Sequence, residues 1–183
     1  VVAGGYHTCG LLSGTGTLKC WGYNNSGQLG DGSTTNRSTP ASIDAGTSYS
    51  QIVLGRQHTC AIVSGTGALK CWGSNSYGQL GDGTTTDRNV PTPIDVGTSY
   101  SRISAGTYST CGVVSGTGAL KCWGANTYAQ LGDGTTTDRK SPTLIDAGTS
   151  YTDILIQESH TCGIVSGTGI LKCWGANTYS QLG

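Results

Sequence analysis

The side chains with chemistry beyond packing arrive in a fixed phrase. "HTCGLLSGTGTLKCWG" begins at His7, "HTCAIVSGTGALKCWG" at His58, "STCGVVSGTGALKCWG" at Ser109 and "HTCGIVSGTGILKCWG" at His160. The eight cysteines therefore form four pairs: Cys9 with Cys20, Cys60 with Cys71, Cys111 with Cys122, and Cys162 with Cys173. Three chemistries suit such pairs: a disulfide, two buried thiols, or zinc held by His58, Cys60 and Cys71. Zinc sites favour C-x₂₋₄-C spacing, and Ser109 removes the histidine from the third phrase, so metal ranks last. If "SGTG" is the tip of a hairpin, the two cysteines of each phrase face one another. Directly opposed residues have Cβ atoms ~4.5–5.5 Å apart, and a small adjustment reaches the ~3.8 Å a bridge prefers. The spacing predicts bridges 9–20, 60–71, 111–122 and 162–173, each contributing ~2–4 kcal/mol. Four regular disulfides place the chain outside a reducing cytoplasm, secreted or at a cell surface.

The remaining candidates carry less. Asp82 and Asp87 in "DGTTTD" recur as Asp133 and Asp138, but the first copy has Asn36. Turn formation explains them better than a carboxylate pair, and the alternating ligands of a calcium loop are missing. "GTGAL" lacks the lysine and the strand–loop–helix setting of a phosphate loop. Scattered serines and histidines in a repeat would make several weak active sites. No enzyme, cofactor or resident metal is expected. Asn24-Asn25-Ser26 and Asn36-Arg37-Ser38 are glycosylation acceptors only in a eukaryotic secretory host. Trp21, Trp72, Trp123 and Trp174 recur beside the cysteines and are assigned to packing between copies. Lys19, Lys70, Lys121 and Lys172 are read as a solvated edge whose stems cover tryptophan.

These residues sit in a chain that repeats itself every 51 positions without insertion. The copies are 1–51, 52–102, 103–153 and a partial 154–183. Such uniformity means one supersecondary unit stacked on itself. No stretch keeps apolar residues at helical spacing. Short apolar pieces such as "CAIV" and "ALKCW" lie between Gly/Ser/Thr/Asn clusters, which are strand and turn signals. Further turns are expected at "GDGTTTD" and in a loop interrupted by Pro91 and Pro142. Each copy then holds about four short strands, and four-stranded units at this period mark an all-β propeller.

The segment "LKCWGSNSYGQLGDGTTTDR" followed by "ISAGTYSTCGVV" resembles the regulator of chromosome condensation repeat. That family pairs a Gly…His-Thr strand with Trp-Gly-x-Asn-x-x-Gly-Gln-Leu-Gly, found here at 21–30, 72–81, 123–132 and 174–183. The resemblance implies a seven-bladed propeller, of which this chain would be a piece, and it looks most like an extracellular bacterial branch with paired cysteines. Ala129 and Ser180 replace a glycine of the pattern. Gln157 replaces the glycine of Gly4, Gly55 and Gly106, which questions the turn there.

Composition narrows the function. Ten basic and ten acidic side chains cancel, so no basic field draws in nucleic acid. No apolar run approaches a membrane span. Against a nearly constant framework one place changes chemistry in every copy: Gly5-Tyr6, Arg56-Gln57, Thr107-Tyr108 and Glu158-Ser159. Gln51, Arg102 and Asp153 vary too, and are expected in the same loop region. Tyr77, Tyr128 and Tyr179 recur, with Ser26 in the first copy. Varied loops on a rigid scaffold suit recognition. The candidate binding residues are Tyr6, Arg56, Gln57, Arg102, Tyr108 and Glu158, facing a protein or glycan at a cell surface. The alternative is a structural spacer or assembly subunit, its blade faces covered by further repeats of its own chain or by another copy.

Overall fold

The computed structural model describes residues 1–183, and every copy of the phrase is an antiparallel hairpin. The hairpins are β2 (His7–Leu11) with β3 (Thr17–Gly22), β5 (His58–Val63) with β6 (Ala68–Gly73), β8 (Ser109–Val114) with β9 (Ala119–Gly124), and β11 (His160–Val165) with β12 (Leu171–Gly175). At the tip Gly65 and Gly67 have φ of 76° and 70°, a left-handed backbone that costs little only without a Cβ. The register sets each cysteine opposite its partner. Cys9 is bridged to Cys20, Cys60 to Cys71, Cys111 to Cys122 and Cys162 to Cys173, each with Cα atoms 4.1 Å apart. That is the close, non-hydrogen-bonded kind of cross-strand pair. No cysteine is left as a thiol, so the zinc and free-thiol alternatives fall and the expected pairing stands.

The expected four short strands per copy need one correction. Each of the three full copies gives rise to a strand of 18 residues, β4 (Arg37–Leu54), β7 (Arg88–Ala105) or β10 (Arg139–Ile156). Its first half is the outermost strand of one sheet and its second half opens the next. β4 pairs with β3 through residues 37–43 and with β5 through residues 49–54. Between the halves the chain turns at Asp44 and Gly46, with φ of 51° and 90°. Four paired segments remain in each of the first three sheets and three in the last, with the end of one sheet and the start of the next joined without a loop. Pro91 and Pro142 lie inside β7 and β10, not in a loop. They fall where the ladder skips, between Gly73↔Arg88 and Cys71↔Thr92 and between Gly124↔Arg139 and Cys122↔Thr143. On an outermost strand a missing N–H costs no ladder bond there.

Every strand pairs only with its chain neighbours, from β1 (Val2–Ala3) to β12. The result is an all-β arc of four propeller blades. Its core lies in three layers between blades. Trp72 is fully buried with Cys9, Cys20, Leu18 and Leu29 of the preceding blade, and Trp123 with Leu69 and Leu80. Trp72 and Trp123 are thus packing residues, as expected, whereas Trp21 is half-buried and belongs to none of the three layers. Trp174, beside Cys173 on β12, packs on the third layer in the same way. Gly81 explains the glycine before each insertion: its φ is +82° and a Cβ would lie 2.7 Å from Trp123 Nε1.

Three of the four lysines correct the edge reading, Lys19 making no ion pair. Lys70 Nζ lies 2.6 Å from Asp44 of the preceding blade, and Lys121 and Lys172 lie 2.7 Å from Asp95 and Asp146. Tyr49, Tyr100 and Tyr151 donate their hydroxyls to the same carboxylates. In the "DGTTTD" turn, Asp82 accepts from Thr84 N, Thr84 Oγ1 and Arg88 Nε at 2.9, 2.7 and 2.7 Å, and Asp87 accepts from Asn75 N at 2.8 Å. In the first copy Asn36 Oδ1 accepts from Asn24 N at 2.7 Å. The position needs only an acceptor oxygen, so an amide serves.

Candidate functional site

The varied residues sit on a turn that ends against the next blade. Gly4, Gly55 and Gly106 donate N–H to the carbonyls of His7, His58 and Ser109 at 2.9 Å, and Gln157 donates to His160 at 3.1 Å. The fourth turn therefore keeps its hydrogen bond with glutamine in place of glycine. Glycine is needed for close approach, not for φ. A Cβ on Gly106 would lie 2.0 Å from Gln157 O, and one on Gly55 2.6 Å from Gly106 O. This contact brings consecutive turns side by side, so their next two residues form one surface.

At its centre stands Arg56. Its Nη1 donates to Tyr108 Oη at 2.8 Å and its Nη2 to Tyr6 Oη at 3.0 Å. The guanidinium carbon also lies 5.4 Å from the Tyr6 ring centroid and 5.9 Å from that of Tyr108. One exposed side chain thereby touches tyrosines on both sides of its own turn by hydrogen bonds and cation–π contact. Tyr77 extends the patch, its ring 4.9 Å from Tyr108, and Tyr23 does so at 5.8 Å from Tyr6.

Two grooves flank Arg56. One, of about 400 Å³, runs along the turns and is lined by Gly5, Tyr6, Arg56, Thr107 and Glu158 among others. The other, of about 450 Å³, is lined by Arg56, Tyr77, Tyr108, Tyr128, Glu158 and Ser159 among others. Arg56 and Glu158 are the only charged side chains in either lining. The face is therefore near neutral and tyrosine-rich, with the Arg56 guanidinium at its centre and the Glu158 carboxylate lining both grooves. Such a surface can stack on a ring or an apolar side chain while hydrogen-bonding its polar end.

Of the candidate residues, the structure gathers Tyr6, Arg56, Tyr108 and Glu158. Gln57 is on the same turn but half-buried, and its carbonyl accepts from Ser74 N at 2.8 Å. Arg102 stands apart. It lies within β7, bonds Ser101 O at 3.0 Å, and lines a separate groove with Val113, Gly116 and Tyr151. Gln51 and Asp153 are also strand residues, not loop residues. Tyr23 belongs to the face without having been singled out, and Thr107, noted as varied but not among the candidates, lines both grooves. The recurring tyrosine series was visible in the sequence, but its contact with the varied turn spans 31 positions and crosses a blade boundary.

Known proteins share this architecture. A model described as the regulator of chromosome condensation (RCC1) repeat matches residues 15–62, 66–113 and 117–163, and a second of that description matches 1–28 and 49–79. The ultraviolet-B receptor UVR8 of Arabidopsis thaliana is 34% identical over 189 residues, covering 100% of this chain and 42% of the receptor. The probable E3 ubiquitin-protein ligase HERC4 of Homo sapiens is 30% identical over 192 residues, covering 100% of this chain and 18% of the ligase. Among solved structures, human WBSCR16 matches with a TM-score of 0.82 at 23% identity, over 96% of this chain and 46% of its own. Yeast RCC1 (Prp20), solved with Kap60, matches with a TM-score of 0.82 at 22% identity, over 100% of this chain and 44% of its own. This chain thus spans less than half the length of each of these relatives, and the two solved structures speak to the propeller fold alone. Because the family model takes in most of the chain, repeat after repeat, the chain belongs to the regulator of chromosome condensation (RCC1) repeat family.

Proposed function

We propose that this chain is a non-enzymatic interaction module of a secreted or cell-surface protein, binding a protein or a glycan through the Tyr6–Arg56–Tyr108 face. One observation carries the reading: of the positions that differ between otherwise constant copies, Tyr6, Arg56 and Tyr108 meet in one patch joined through Arg56, with Glu158 lining the grooves beside it. Arginine and tyrosine are the types most often found at energetic centres of interfaces. A frame held by four disulfides lowers the ordering cost of binding. The same bridges fit an oxidising, extracellular setting, and no helix is long and apolar enough to cross a membrane. Solved relatives support protein binding as a use of this fold: one structure of yeast Prp20p is described with its binding to Gsp1p and histones, and another holds Kap60.

The test compares the wild-type chain with Arg56→Ala and Tyr108→Ala in secreted-protein pull-downs and on a glycan array. Arg56 is exposed and Tyr108 half-buried, so each variant should keep its melting temperature and lose at least about tenfold in affinity, the mark of an energetic centre. Unchanged binding in both variants would refute the site. The alternative is a spacer or assembly subunit whose blade faces are covered by further repeats or by another copy. It prevails if the chain binds nothing at this face and associates only through blade faces.

A further inference from the structure

We propose that the groove beside Tyr128 is a receptor for a tyrosine side chain presented by a partner protein. This rests on the binding-face reading above and names its ligand class. The protein's own repeats supply the argument. Between the second and third copies, Tyr77 lies against Tyr108 with ring centroids 4.9 Å apart, and the Tyr108 hydroxyl accepts from Arg56. One period later the residue matching Tyr77 is Tyr128, but the residue matching Tyr108 is Ser159. The ring that covers Tyr77 has no counterpart over Tyr128. Tyr128 is accordingly 60% exposed against 42% for Tyr77, and the place belongs to the groove of about 450 Å³. The missing occupant is thus displayed next door, and it is a phenol.

The polar surroundings agree. Where Arg56 serves Tyr108, the matching residue one period on is Thr107, and Glu158 follows on the adjacent turn. Glu158 is exposed and makes no side-chain hydrogen bond or ion pair. A carboxylate accepts a phenolic proton in a charge-assisted hydrogen bond. Phenylalanine would stack but leave Glu158 unused. A sugar would need donors and acceptors spread around its ring, whereas both Arg56 terminal nitrogens already serve Tyr6 and Tyr108.

The experiment titrates N-acetyl-tyrosinamide into the isotopically labelled chain and follows amide shifts. Saturable shifts are expected at residues 125–128 and 158–159, with a dissociation constant of roughly 1–10 mM, as suits one ring stack and one hydrogen bond. Ser159→Tyr fills the groove from within, as Tyr108 does, and should abolish these shifts. Tyr128→Ala, at an exposed position, should abolish them too and serves if the first variant does not fold. Glu158→Gln should weaken N-acetyl-tyrosinamide several-fold and leave N-acetyl-phenylalaninamide unchanged. The proposal is overturned if no saturable shift appears, if Tyr128→Ala binds as the wild type does, or if methyl glucoside binds there and the tyrosine probe does not. Should the probe fail while Arg56→Ala still weakens a partner, only this inference falls. Should the probe bind while neither Arg56→Ala nor Ser159→Tyr affects any partner, the groove holds a phenol but both the partner claim and the interaction-module reading fall.

Discussion

Acid should unfold this protein well before its carboxylates are protonated, because two histidines are locked neutral between blades. Thr59 Oγ1 donates its proton to Gln28 O at 2.8 Å, so His7 Nε2, 2.8 Å from Thr59 Oγ1, must be the donor to that hydroxyl. Thr110 and His58 repeat the arrangement, at 2.9 and 3.1 Å. In both rings Nδ1 is buried without a partner. A second proton would go there as an unpaired buried charge. Burial pushes the His7 pKa down to about 4 and that of His58, which also feels His7, down to about 3. The unfolded chain takes up these protons near pH 6.5. Stability is therefore full above that value and falls as pH drops towards the folded pKa values, by ~1.4 kcal/mol per pH unit for each ring. Between pH 6.5 and 5 each ring costs ~2 kcal/mol and the pair ~4 kcal/mol, out of the ~5–15 kcal/mol typical of a domain. Asp44, Asp82, Asp95 and Asp133 do not share this window: burial would raise them, but hydrogen bonds and ion pairs hold them below their ordinary 3.8. Their contribution is lost only at lower pH. Urea midpoints at pH 7 and pH 5 measure the effect. His7→Ser and His58→Ser are suitable controls, because Ser109 occupies the matching buried position in the third copy. Each should remove about half of the pH dependence. A difference below ~1 kcal/mol between the two pH values, or a loss undiminished in the double variant, refutes the locked-imidazole argument.

Replacing Cys60 and Cys71 together by serine should lower stability by ~2–4 kcal/mol at unchanged pH dependence, measured by the same urea titration. Ala129 has φ of 57° where Gly27 and Gly78 have 76° and 75°; Ala129→Gly should raise stability by ~1 kcal/mol by relieving a left-handed alanine. A double-mutant cycle on Lys121 and Asp95, 2.7 Å apart and about one-quarter exposed, should give a coupling of ~1 kcal/mol that shrinks with added salt.

What the sequence shows well is local. The hairpins, their turns and the cysteine register, from Cys9 with Cys20 to Cys162 with Cys173, all follow from residues within one phrase, since turn glycines and cross-strand pairing act over a few positions. The joint at Asp44 is different. Its strand carries proline and glycine and reads as a loop, yet tertiary pairing on opposite edges makes one half the end of a blade and the other the start of the next. The same blindness placed Arg102 in a loop with Arg56. It lies just past a sheet joint, on a strand whose register is fixed by β8 of the blade it opens.

Contacts between blades are long-range for any single copy, but the repeat makes some of them recoverable. An aspartate stands 26 positions before a lysine in the pairs Asp44 with Lys70, Asp95 with Lys121 and Asp146 with Lys172, and each is an ion pair in the structure. A coincidence kept at fixed separation through three copies is a contact signal of its own. The histidine–threonine link has separation 52, joining His7 to Thr59 and His58 to Thr110, and lapses at Ser109, whose hydroxyl is buried without a partner. In a stacked array a break in such a series therefore marks a weakened interface or a changed surface. Ser109 is the first kind, inside the layer between the third and fourth blades. Ser159 is the second, and it leaves Tyr128 uncovered on the face that Arg56 organises.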